Sequence, residues 1–315
     1  MAKHIILVHG RSYKPNAVSL KRNWVGALAH GIERDHGKRA LNKFKKARKT
    51  MAYYGDLTNT FLGKHTGKRW TKKREADDIA DRKEALAALK LYGTREFTRS
   101  NYNKIRDLAD VFKKVAASVF SGPLSLFSVG DEIIGMFAPD MEHYWNPDDK
   151  FGSDVRWRLT QPLERAIKAD DDILLIAHSL GSIVSYDVLW KFSHYGEYQH
   201  IRNKGINTLV TIGSPLGDEI VKNELKGANA KSRRRYPQNI GRWINFAAED
   251  DYIAHDPTLA NDFKRMVRLG LTSSITDSHI YNMAIRWDNS NPHHGTGYLI
   301  HPQMSRVTAD WLNKA

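Results

Sequence analysis

Residues 171–190 read DDILLIAHSLGSIVSYDVLW. The apolar run Ile173–Ile176 predicts a short buried strand. It gives way to Ala177-His178-Ser179-Leu180-Gly181, and a second apolar pattern follows at once at Ile183, Val184, Tyr186, Val188 and Leu189. Its i, i+3, i+4 spacing predicts a helix buried on one face. Strand, sharp turn and helix with a serine at the corner make a nucleophile elbow. Such a turn strains the serine backbone, exposes the hydroxyl and needs small neighbours, here Ala177 and Gly181. It also aims a helix N-terminus at any negative charge developing beside the serine.

Outward from the elbow, strand and helix patterns alternate, which implies an α/β fold. HIILVHG at 4–10 reads as a strand ending at His9-Gly10, before the loop Arg11–Asn16. Residues 17–34 look helical, with Trp24, Leu28 and Ile32 at i, i+4, i+8, and 36–49 are strongly basic. Met51–Tyr54 reads as a second strand before a turn at Gly55-Asp56; Tyr53 and Tyr54 are expected to pack. Residues 60–122 break the alternation with charge-rich helical patterns, one striped by Ile105, Leu108, Val111, Phe112 and Val115. Together with the unusually apolar 121–141 they suggest a helical insertion, at roughly 60–150, serving as a cap or lid. Residues 154–168 form an amphipathic helix that Pro162 starts or kinks. Ile206–Ile212 is a buried strand ending at Gly213-Ser214-Pro215, and Trp243–Ala247 is another, ending in an acidic turn. A helix at Met304–Leu312 closes the chain.

Composition limits the alternatives. At 315 residues and 41 % hydrophobic content, one large α/β domain over 1–315 suffices. The chain has no cysteine, so disulfides and thiolate metal sites are excluded. No metal or cofactor is expected. MAKHIILVHG lacks a signal-peptide core, and no stretch reaches the ~20 apolar residues of a membrane span, so a cytoplasmic location is expected, with signal-independent export as an alternative. The net charge of +14 fits a basic solvated surface or peripheral contact with anionic membrane. No zinc-finger or RNA-binding signature accompanies it, and no nucleic-acid partner is expected.

A serine hydroxyl becomes a nucleophile when a histidine takes its proton and a carboxylate orients that histidine. Beyond the elbow, Glu249, Asp250, Asp251 and Asp256 cluster after a strand. His279, His293, His294 and His301 are the histidine candidates, with His293 and His294 in a Gly-rich loop before the last helix.

Val8-His9-Gly10, Ala177-His178-Ser179-Leu180-Gly181, Gly213-Ser214-Pro215, Asp251 and Asn291-Pro292-His293 with Gly297-Tyr298-Leu299 together resemble α/β-hydrolases of the bacterial lipase/esterase kind. Ala177 departs from the family's G-x-S-x-G by one methyl. The resemblance implies an α/β-hydrolase fold with a mostly parallel central sheet flanked by helices. It implies Ser179 as nucleophile. Asp251 is implied as the carboxylate, because Asp251-Tyr252-Ile253-Ala254-His255 resembles the D-x-V-P-H turn of class 3 lipases. His293 is implied as the base, with the amides of Arg11 and Leu180 as the oxyanion hole. The expected substrate is a small-molecule or lipid carboxylic ester. Rival readings are a phospholipase at anionic membranes and a non-catalytic hydrolase-like binding module.

Overall fold

A computed structural model describes residues 1–107 and 141–314. In chain order the elements are β1 (Lys3–Val8), α1 (Ala17–Lys46), β2 (Arg48–Ala52), α2 (Gly55–Thr66), α3 (Lys72–Leu89), α4 (Arg99–Asp107), α5 (Lys150–Lys168), β3 (Asp172–His178) and α6 (Leu180–His194). They continue with β4 (Ile206–Ile212), α7 (Glu219–Glu224), β5 (Ile240–Ala248), α8 (Leu259–Asp262), α9 (Lys264–Arg268), β6 (Ile275–Ile280), β7 (Ile285–Arg286), β8 (Asn289–Ser290), α10 (Gly295–Ile300) and α11 (Pro302–Asn313).

Among the described residues, six strands form one sheet in the order β2-β1-β3-β4-β5-β6, every pair parallel. Strands β7 and β8 make a separate antiparallel pair. Side chains of a strand alternate between faces. In β1, Ile6 and Val8 therefore join the core under α5 and α6, while Ile5 and Leu7 join the core under α1, α10 and α11. All four are fully buried, and each such side chain stabilises the fold by about 1.5–3 kcal/mol. Helices thus cover both faces, as an all-parallel sheet requires. The chain moves outward from β1 to β2, then returns to place β3 on the other side of β1. At such a reversal open α/β sheets bind ligands, in the crevice outside the carboxyl ends of the strands, here β1 and β3.

Several elements depart from the sequence reading. The helix after β1 runs on through the basic stretch to Lys46, with a break at Gly37. Strand β2 lies earlier than expected, and Gly55-Asp56 starts α2 instead of making a turn. Pro162 lies inside α5, which begins at Lys150. No sequence pattern announces strand β6. Among the described residues it pairs with β5 alone, and four of its six side chains are not buried, so no apolar run marks it. The Gly-rich loop before the last helix folds into α10.

The described part of the insertion consists of helices. Helix α3 packs on α1, α10 and β7. The stripe beyond Ile105 and the apolar 121–140 stretch lie outside the described residues. Among the described residues, no helix is long and apolar enough to cross a membrane.

Candidate active site

Ser179 sits between β3 and α6 with φ 55° and ψ −129°, a conformation costly for any residue with a Cβ. The surroundings enforce it. Its N–H donates to the Ile212 carbonyl at 3.0 Å, and its carbonyl accepts from the Ser182 N–H at 2.8 Å and the Ser182 hydroxyl at 2.6 Å. Helix α6 enters so close to β1 that a Cβ on Gly181 would lie 2.6 Å from the His9 carbonyl and 2.7 Å from that of Val8. Rigid backbone leaves no room there, so position 181 requires glycine. On the other side, a Cβ on Gly10 would meet the Ser179 Cβ at 2.6 Å, so the loop after β1 packs directly against the serine.

Three of the residues proposed from sequence come together at this point. His293, on the turn before α10, has Nε2 2.9 Å from Ser179 Oγ. Its Nδ1 lies 2.9 and 3.0 Å from the two carboxylate oxygens of Asp251. Asp251 follows β5, caps a short turn through the Ile253 N–H, and has a fully buried side chain. The His293 side chain is 29 % exposed, so the relay opens to solvent at its imidazole end. Because the carboxylate accepts at Nδ1, the neutral ring carries its proton there and presents the Nε2 lone pair to the serine. Such an arrangement can withdraw a proton from a hydroxyl and return it to a leaving group.

The other candidates have different occupations. Among the carboxylates, Glu249 binds His279 at 2.7 Å, Asp250 accepts from the Tyr102 hydroxyl at 3.1 Å, and Asp256 accepts from the Thr258 N–H and hydroxyl. Among the histidines, His279 is held by Glu249. His301 caps α11 by accepting the Gln303 N–H. His294 points away from its neighbour into a buried ionic cluster, where its Nε2 accepts from Arg286 at 3.0 Å and Arg82 at 3.3 Å. Asp78 bridges both arginines, and Asp81 pairs with Arg286. Burial, reinforced by Arg286 and Arg82, holds the His294 pKa well below the histidine range. This cluster ties α3 to the loop carrying His293.

Leu180 is the first residue of α6, so its N–H has no carbonyl four residues back within the helix. Arg11 lies one residue beyond Gly10, and its peptide is oriented by groups that the sequence did not reveal. His9 Nε2 accepts the Tyr54 N–H at 3.0 Å, which leaves Nδ1 to donate to the Gly10 carbonyl at 2.7 Å. Burial, with Lys14 next, pushes the His9 pKa down to about 3 and keeps the ring neutral. In a trans peptide the C=O and N–H point in opposite directions. Fixing the Gly10 carbonyl on His9 therefore turns the Arg11 N–H the other way. The buried Lys14 ammonium donates to the Arg11 carbonyl and to Ser12 Oγ at 2.9 Å. The Tyr54 hydroxyl donates to the His9 carbonyl and that of Tyr53 to the Pro15 carbonyl at 2.9 Å. The two tyrosines thus brace the loop beside Ser179. A strand-end histidine before glycine was the only signal for this scaffold in the sequence.

Two further groups hold the relay from behind. His178 Nε2–H donates to the His293 carbonyl at 2.7 Å, and burial, with His293 next, keeps the His178 pKa well below the usual range. The buried Tyr298 hydroxyl donates to Asp251 Oδ2 at 2.6 Å.

The chain matches no protein-family model, and no curated protein is significantly similar to it. Among the described residues, no cluster of three or more metal-ligating side chains occurs.

Proposed function

We propose that this chain is a serine hydrolase with an α/β-hydrolase fold, cleaving carboxylic esters through an acyl-enzyme. The observation that carries this reading is the continuous relay from Ser179 Oγ through His293 to the buried Asp251. The strained elbow and its place at the β1/β3 crevice support it. The ester class rests on the likeness of the His9-Gly10, elbow and Asn291-Pro292-His293 segments to bacterial lipases and esterases.

In the proposed reaction, His293 Nε2 takes the Ser179 proton as Oγ attacks the ester carbonyl carbon. The carbonyl π pair moves onto oxygen, where the Leu180 and Arg11 amides receive the charge. Collapse of this adduct expels the alkoxide, which takes the proton from His293. Water then repeats the sequence on the acyl-serine and releases the acid. Asp251 holds the ring tautomer and stabilises the imidazolium formed at each transfer.

A fluorophosphonate probe followed by peptide mass mapping tests the reading. The expected result is covalent labelling of Ser179 alone, together with turnover of p-nitrophenyl esters that Ser179→Ala abolishes. A folded protein that neither reacts with the probe nor hydrolyses esters of any chain length would overturn it in favour of a binding module.

A further inference from the structure

The corner between α2 and α3 carries Lys64, Lys68, Arg69, Lys72, Lys73 and Arg74, all exposed, and residues 64–74 contain no carboxylate. Among the described residues, none of these six side chains forms an ion pair. Three of them, Lys72, Lys73 and Arg74, open α3, where the helix dipole opposes positive charge. The nearby Glu75 offers little relief, because one of its carboxylate oxygens accepts both the backbone N–H and the side-chain amide of Asn16. This crowding of like charge gives the isolated chain no stability.

The corner also adjoins the candidate active site. Trp70, half-buried among the cations, stacks on Tyr13 with ring centroids 5.2 Å apart and planes within 9°. The Tyr13 hydroxyl donates to the Lys68 carbonyl. Tyr13 lies two residues beyond Arg11, on the loop that borders Ser179. Exposed cations around an aromatic pair match the headgroup region of a membrane, where indole and phenol rings settle and anionic lipids attract lysine and arginine.

We propose that the α2–α3 corner docks on anionic phospholipid bilayers and so delivers a lipid ester to the crevice. The delivered substrate rests on the esterase reading above; the docking itself does not. A second basic run, Lys231, Arg233 and Arg234, lies before β5 at the opposite end of the sheet and is equally exposed. It supplies a control of the same sign.

Binding of the full-length Ser179→Ala protein is measured by co-sedimentation with phosphatidylcholine vesicles, with and without phosphatidylglycerol, so that no result depends on catalysis. Each basic residue at an anionic surface contributes about fivefold, equivalent to ~1 kcal/mol. Reversing four charges, K68E/R69E/K72E/K73E, is expected to weaken binding at least tenfold, whereas K231E/R233E/R234E stays within twofold. Should the fourfold variant fail to fold, K68Q/K73Q reads the same loss more gently. Equal binding to vesicles lacking phosphatidylglycerol, equal loss in the control variant, or tighter binding to duplex DNA than to vesicles would each overturn the proposal. Esterase activity of the Ser179 protein, assayed separately on soluble esters, reports on the catalytic reading alone.

Discussion

Tyr298 and Asp251 share a hydrogen bond whose direction is fixed. The Ala248 N–H donates to the Tyr298 oxygen at 2.9 Å, so the phenol proton turns to Asp251 Oδ2, 2.6 Å away. Burial, with the charge of Asp251 next, holds the Tyr298 pKa well above its ordinary value, so the phenol stays a donor. It withdraws charge from the carboxylate and leaves Asp251 one orientation in which to face His293. Tyr298→Phe should lower kcat about 10–100-fold, in line with the ~1.5–3 kcal/mol of a charge-assisted hydrogen bond. The loss comes from the carboxylate's freedom to turn away from His293, and steady-state kinetics beside a thermal melt checks it; an unchanged kcat would reduce Tyr298 to a packing residue.

Neighbouring aspartates should behave differently. Asp251 is buried and faces His293, whereas Asp250 has positive φ and faces Tyr102 and the partly exposed Arg106. Asp251→Asn preserves size but favours the wrong imidazole tautomer, and a loss on the order of 10⁴ in kcat is expected. Asp250→Asn should stay within about threefold, since it touches no member of the relay. Steady-state kinetics of the two variants decides the matter, and equal losses would reject Asp251 as the orienting group.

The adjacent histidines separate chemistry from stability. His293→Ala should abolish turnover while leaving the melting temperature nearly unchanged. His294→Ala leaves guanidinium N–H groups of Arg82 and Arg286 without their acceptor inside the fold. A cost of about 1–3 kcal/mol is expected, read as a lower melting temperature with most of kcat retained below the transition.

His9 offers a test of the loop beside Ser179. His9→Phe removes the Nδ1–H that fixes the Gly10 carbonyl. The Arg11 N–H then loses its alignment, and kcat should fall by about 10–100-fold at nearly constant KM; complete loss of one oxyanion donor costs about 10²–10³. His9→Asn, whose amide can approach the same carbonyl, should recover part of the loss. A change confined to KM would contradict the orienting role.

Stability should weaken in acid through the buried histidines. Burial, with Arg34 next, pushes the His301 pKa down to about 3. Between that value and the unfolded ~6.5, the unfolded chain binds a proton that the folded chain refuses, so stability falls as pH falls, by up to about 1.4 kcal/mol per pH unit for each such group. His301→Asn retains an N-cap acceptor for the Gln303 N–H and should flatten the slope by about one proton. Urea melts between pH 6.5 and 4.5 measure this; an unchanged slope would mean that His301 takes up its proton in the folded state.

Local signals in the sequence were enough for the parallel α/β core and its central turn. The apolar run of β3, the small residues around Ser179 and the face of α6 lie within some twenty residues, and strand period, turn chemistry and helix period are local properties. Strand β4 was legible for the same reason. Strand β6 was not, because a polar edge strand becomes a strand only by pairing with β5. The site divides in the same way. Sequence order could bring the carboxylate down to a four-residue choice and the base to a few histidines. Only the tertiary structure set His293 against Ser179, 114 residues away, and against Asp251, 42 residues away. The reason is that successive side chains on the turn point in opposite directions. The arginines of α3 and β7 claim His294, and His293 is left facing the crevice. Those arginines, the ring of His9 and the hydroxyl of Tyr298 act through contacts between distant segments, and no periodicity along the chain records such contacts.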